Sequence, residues 1–220
     1  VVGGVFSCYN ISENNFQEGA DMKIRAVTTD KNGFKRKIGA FVVEEEIRGA
    51  QSVEIGREPS VESFLGFGVA LTGSSCYLLN GAEKAARDQV LGDVFGKDGL
   101  NLSLARVSVG SSDYSAELYC YEDKNGNFSI DKDREYVLPT LKEALKANRD
   151  LKFFSAPWSP PGRMKTGGSM CGGFMREKYL EEFAGYYCKF LAAYKKEGID
   201  IFALTAQNEP ETEQLGKMPA

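Results

Sequence analysis

The chain has 220 residues, and its 27 Lys+Arg against 31 Asp+Glu give a net charge of −4, which excludes a generally basic nucleic-acid or membrane-surface binder. A hydrophobic fraction of 42% with 26% charged residues excludes a disordered chain. Histidine is absent, so no Ser-His-Asp triad, Cys-His dyad or His-ligated metal can form within the chain.

Acid/base chemistry near neutral pH therefore falls to Asp, Glu, Cys, Lys or Tyr. Residues 21–27 alternate apolar and polar, as a half-buried strand does. Asn32-Gly33 follows as a hairpin signal, and residues 37–43 and 50–55 complete a small antiparallel set, the share of a β-sandwich. After Pro59 the rhythm changes. Apolar runs at 64–69, 100–109, 151–156 and 199–206 alternate with helical stretches at 83–95, 137–148 and 179–197. In the last helix Leu180, Phe183, Ala184, Tyr187, Cys188, Leu191 and Tyr194 recur at helical spacing, and Gly198 suits its C-terminal cap. Repeated βα units imply a parallel α/β sheet, either doubly wound or the first half of a (β/α)₈ barrel.

The cysteines Cys8, Cys76, Cys120, Cys171 and Cys188 are odd in number and widely spaced, with no Cys-x-x-Cys pair. This favours free thiols in a reducing compartment. The chain begins without Met or a signal-peptide pattern, so it reads as a piece of something longer, and its compartment stays open. No apolar stretch approaches the ~20 residues that a membrane-spanning helix needs. Of three Asn-x-Ser sequons, at Asn10, Asn101 and Asn127, the second falls in a strand-like run.

Two motifs imitate ligand sites. Gly66-x-Gly68 fails as a dinucleotide fingerprint, because Leu71 stands where the third glycine belongs; it reads as a tight strand. The acidic run from Asp123 has its glycine, Gly126, too early for a calcium loop, so it reads as a hairpin turn. No cofactor or metal is expected.

Three segments carry chemistry. Arg106 sits in an apolar strand, where a charge needs a partner; Asp113 is the nearest candidate. Trp158, the only tryptophan, opens a long Gly/Ser/Met-rich loop beside Pro157 and makes a platform for a sugar ring. The run ending at 206 leads into Asn208-Glu209-Pro210. At the C-terminal mouth of a barrel strand such residues face the active site, and a carboxyl held among aromatic rings there can serve as general acid without histidine.

The segments GFGVALTGSS at 66–75, LARVSVGSSDYS at 104–115, SAPWSPPGRMKTGG at 155–168 and ALTAQNEP at 203–210 together resemble glycoside hydrolase family 30, the glucosylceramidase-like branch of retaining β-glycosidases. The resemblance covers residues 60–215. It implies a TIM barrel, of which residues 63–220 supply the first four βα units, preceded by strands of a sandwich side domain over residues 1–62. It also implies that Glu209 is the acid/base, that Asn208 contacts the sugar 2-hydroxyl, and that Arg106, Asp113 and Trp158 line the pocket. Val69 and Gly73 depart from the family, which often has Gly and an acidic residue there. The family's nucleophile, a Glu ending the seventh strand, has no counterpart here, since a full barrel needs about 250 residues. Glu211 reads as a rim residue. The chain is then expected to need the C-terminal half of the same polypeptide, to be inactive alone, and to act on a β-glycoside, glucosylceramide-like or simpler. A β-xylosidase or β-1,6-glucanase of the same family, or a non-catalytic half-barrel, are the alternatives. No nucleic-acid partner is expected.

Overall fold

The computed structural model describes residues 23–29, 35–42, 62–211 and 219. The chain divides into two compact units, Val1–Ser60 and Val61–Ala220. In the first, β1 (Lys23–Thr29) pairs antiparallel with β2 (Lys35–Val42). Arg25 faces Ala40 and Ala26 faces Ile38, so Gly39 is the extra residue of a bulge. The Asn32-Gly33 turn and the expected strand at 50–55 lie outside the described residues. Among the described residues this unit shows these two paired strands and no more of the expected sandwich share.

The second unit holds a parallel sheet of β3 (Gly68–Ala70), β4 (Leu104–Val109), β5 (Lys152–Pro157) and β6 (Ile201–Leu204), in that spatial order. A doubly wound sheet reverses its strand order at a switch point. Here each strand joins the next without reversal, as in a barrel, and four strands make part of one. The helices are α1 (Gly73–Gly81), α2 (Lys84–Phe95), α3 (Asp131–Glu135), α4 (Val137–Ala147) and α5 (Leu180–Lys196). Asn101 precedes β4 in a left-handed turn (φ 50°) that Asn tolerates, rather than within the strand.

Alternation within β4 sorts the two faces. Ala105, Val107 and Val109 are buried, with Phe153 of β5, in the core that the helices share. Leu104, Arg106 and Ser108 point the other way and are half-buried. Register aligns Ala70, Arg106, Phe154 and Ala203 in one row across the sheet. Gly68 is required where β3 meets β4: a Cβ there would lie 2.6 Å from the Leu104 Cβ and carbonyl oxygen.

Helix α1 has no apolar stripe in its sequence and is set by its surroundings. Thr72 caps it by accepting from the Ser75 N–H at 3.1 Å. Asn80 ties it to α4, donating to the Tyr136 carbonyl at 2.9 Å and the Thr140 hydroxyl at 2.6 Å. Helix α5 buries Phe183, Tyr186, Phe190 and Tyr194, while Leu180, Ala184 and Cys188 of the expected stripe are exposed. Phe183 and Tyr194 of the expected stripe are on the covered face, with Tyr187 and Leu191 at its edge, and Tyr186 and Phe190 complete it: Tyr186 accepts from the Tyr121 N–H at 3.0 Å, and Tyr194 donates to Asp133. The helix ends as expected at Gly198 (φ 82°). Its N–H bonds the Lys195 carbonyl and that of Ile199 bonds the Tyr194 carbonyl, both at 3.0 Å, with Ile199 buried beneath.

Candidate active site

Trp158 directly follows β5, and Asn208 and Glu209 follow β6, so all three lie at the C-terminal end of the parallel sheet, and Arg106, the third of the six residues of β4, reaches them from within the sheet. Pairing continues past the strands and holds the two loops in step. The Thr205 N–H donates to the Ser155 carbonyl at 2.9 Å, and the Asn208 N–H to the Pro157 carbonyl at 2.8 Å. The Gln207 amide donates to the Trp158 carbonyl at 2.8 Å.

This brings together three of the expected residues. The Arg106 guanidinium donates to Asn208 Oδ1 at 2.7 Å and lies 4.6 Å from the Trp158 ring centroid. A half-buried cation in an apolar strand is thus served by an amide oxygen and an aromatic face. The Arg106 bond also fixes the amide of Asn208: its oxygen is occupied, and its NH₂ is left to donate elsewhere. Arg106 and Asp113 form no ion pair among the described residues. Asp113 is exposed and accepts from the Tyr114 N–H at 3.1 Å in a turn beyond β4. Buried Ser111 anchors that turn by exchanging bonds with Tyr119, both at 3.0 Å.

Glu209 is exposed, not enclosed by aromatic rings. Its φ of 46° places it in the left-handed region. Residues before proline avoid compact backbone conformations, so Glu209 before Pro210 is strained, and such strain concentrates at functional sites.

Sequence reasoning missed how the loop after β5 is held. Glu122, with a side chain only 2% exposed, accepts from Arg163 at 2.6 Å and 3.2 Å; Arg163 also bonds Glu182 at 2.6 Å and lies 5.6 Å from the Tyr179 ring centroid. These carboxylates raise the Arg163 pKa, and Arg163 lowers that of Glu182. Lys165, also buried, donates to the Met170 carbonyl at 2.9 Å, and burial lowers its pKa. The only signal was the pair of charges Arg163 and Lys165 inside a loop rich in Gly, Ser and Met. The run from Asp123 is a turn as expected: its carboxylate accepts from the Asn125 and Asn127 N–H groups at 2.8 and 2.9 Å, and Gly126 has φ 82°. Four cysteines, Cys76, Cys120, Cys171 and Cys188, are free thiols, and burial pushes the Cys76 thiol up to about 12.

The family model described as the glycosyl hydrolase family 30 TIM-barrel domain matches residues 64–220. The chain belongs to glycosyl hydrolase family 30. A putative glucosylceramidase of Caenorhabditis elegans is 34% identical over 84% of this chain and 38% of its own length. An endo-1,6-β-D-glucanase of Neurospora crassa is 33% identical over 70% of this chain and 34% of its own. A solved endo-β1,6-glucanase superposes with TM-score 0.64 at 38% identity, covering 67% of this chain and 36% of the other. The chain thus spans well under half the length of these relatives.

Proposed function

We propose that this chain carries the acid/base half of a retaining β-glucosidase centre, with Glu209 as the acid/base. The observation that carries this is the Arg106–Asn208–Trp158 cluster, placed beside Glu209 at one end of a parallel sheet. The Asn208 NH₂ donates to the sugar 2-hydroxyl, Trp158 stacks on the ring, and Arg106 and Asp113 line the pocket. Glu209 protonates the glycosidic oxygen as its bond to the anomeric carbon breaks and a second carboxylate attacks that carbon. Glu209 then takes a proton from the water that releases the sugar. Retention needs the two carboxyl groups about 5–5.5 Å apart. The second belongs to later barrel strands outside this chain, so the 220 residues bind sugar without turning it over. Residues 63–220 supply the first four βα units, and residues 1–62 the opening strands of a sandwich side domain.

The leading substrate is a glucosylceramide-like β-glucoside, supported by the nematode relative. A β-1,6-glucan is the second reading, supported by the 38% identity to a solved endo-β1,6-glucanase. Relative rates of the complete enzyme on the two substrates separate them. Because Trp158 is the only tryptophan, its emission reports this pocket alone. Titrating the chain with methyl β-glucoside is expected to change that emission, and Asn208→Ala to weaken the response about three- to tenfold, the worth of one hydrogen bond. Unchanged emission at saturating sugar, or an Asn208→Ala chain that responds normally, contradicts the reading.

A further inference from the structure

The turn after β6 carries Glu209, whose backbone is strained: its φ is 46° and Pro210 follows. Such a conformation persists only where its surroundings over-determine it. Two half-buried side chains with no part in the proposed sugar contacts supply some of that hold. The Gln207 amide donates to the Trp158 carbonyl at 2.8 Å and to the Asn208 carbonyl at 3.0 Å. The Tyr187 hydroxyl, reaching from α5, donates to the Ala206 carbonyl at 2.7 Å.

The Asn208 carbonyl belongs to the peptide group whose nitrogen is that of Glu209. A peptide group is planar, so a bond that fixes its carbonyl fixes the plane from which the Glu209 φ is turned. Gln207 thus acts on the one backbone angle that is strained. An amide NH₂ has two hydrogens, and both acceptors here are carbonyl oxygens, so the amide fits in one orientation only. The same NH₂ ties that plane to the backbone of Trp158. Tyr187 fixes the carbonyl at the start of the turn, and its ring packs against Phe183 with centroids 4.5 Å apart.

We infer that Gln207 is a positioning residue for Glu209, supported by Tyr187, a role that rests on the acid/base reading of Glu209 given above. Gln207 touches no reacting atom. It holds the peptide plane between Asn208 and Glu209, so that the Glu209 carboxyl is carried to the glycosidic oxygen. It also links that plane to the Trp158 backbone, so one amide sets the sugar platform and the acid together. A brace for the fold alone would act differently on different leaving groups. A misplaced acid harms the substrates that need its proton, whereas a loosened fold or a weakened sugar contact harms all substrates alike.

The test measures kcat/KM, which reports the glycosylation step, in a polypeptide that carries this sequence with a complete barrel. The substrates are methyl β-glucoside, which needs the proton, and an activated dinitrophenyl β-glucoside, which hardly does. Gln207→Met keeps the length of the side chain and removes both bonds. It should lower the methyl value about 10- to 100-fold, the cost of misplacing a reacting group, and the dinitrophenyl value less than about threefold. Tyr187→Phe keeps the ring against Phe183 and should show the same preference at about three- to tenfold, the worth of one hydrogen bond. Thermal midpoints show which variants fold, and Tyr187→Phe decides if Gln207→Met does not. Equal losses on the two substrates, or no loss on methyl β-glucoside, overturn the inference. Glu209→Ala separates it from the reading beneath it. If Glu209→Ala spares the dinitrophenyl substrate and folded Gln207→Met shows no such preference, the positioning role alone falls. If Glu209→Ala shows none, the acid/base reading falls and the positioning role falls with it.

Discussion

Asp133 shows how one residue can organise the packing beneath the sheet. Its carboxylate is buried and accepts from Tyr119 at 2.5 Å, from Tyr121 at 2.6 Å and from Tyr194. Burial outweighs these three bonds and raises its pKa. The folded state therefore holds this proton longer than the unfolded chain does. Its contribution is full below the ordinary carboxyl pKa and is lost as pH rises through the raised value. Deleting one phenol harms the ionised carboxylate more than the neutral acid, since bonds to a charged group are the stronger ones. Tyr194→Phe should thus cost about 1.5–3 kcal/mol where Asp133 is ionised. The cost should shrink as pH falls from about 8 towards about 4. Urea unfolding across that range measures it. A penalty that is constant, or larger in acid, contradicts this account of the cluster.

At the scale of elements, the loop after β5 is held by ion pairs rather than by apolar packing alone. Arg163 reaches Glu122, which follows the turn beyond β4, and Glu182 on α5, joining three segments. Arg163→Ala would leave Glu122 buried without its close partner, with only Lys189 remaining at 3.9 Å. The expected loss is about 3 kcal/mol, at the low end for a broken buried pair because Lys189 persists. Denaturant unfolding reads that loss, and a shift in Trp158 emission reads movement of the loop. An Arg163→Ala chain with unchanged stability and emission would show that the pair does not hold the loop. Periodicity made β4 and α4 legible in the sequence, because each repeats a pattern imposed by one covered face, while β5 and β6 stood out as short apolar runs. It failed for α1, which Thr72, Gly73 and Asn80 fix through distant contacts: a Cβ on Gly73 would lie 2.9 Å from the Ser115 hydroxyl. On α5 it placed Phe183 and Tyr194 on the covered face but left out Tyr186 and Phe190 and added Leu180, Ala184 and Cys188, which are exposed. Arg106, Trp158 and Asn208 stood out individually, but the bond between Arg106 and Asn208 spans 102 positions and no local pattern announces it. Buried Glu122 and Asp133 were invisible, since an acid beside a polar turn or in a short charged helix reads as surface.

For the whole molecule, four parallel strands in sequential order carry helices on one face and present Arg106 and Phe154 on the other. In a barrel that second face is the interior, and the ends of its strands bear the chemistry. The central claim is that Glu209 acts there as acid/base. The most direct measurement is the product formed from an activated aryl β-glucoside, with added azide, by Glu209→Ala in a polypeptide that carries this sequence with a complete barrel. Such a leaving group needs little acid help, so the first step survives and release by water becomes limiting. Azide needs no base. The account predicts that azide restores turnover and yields the β-glucosyl azide, with alkyl glucosides slowed far more than the aryl one. An α-azide would make Glu209 the nucleophile. Equal loss on both substrates without rescue would make it structural, and either result contradicts the account.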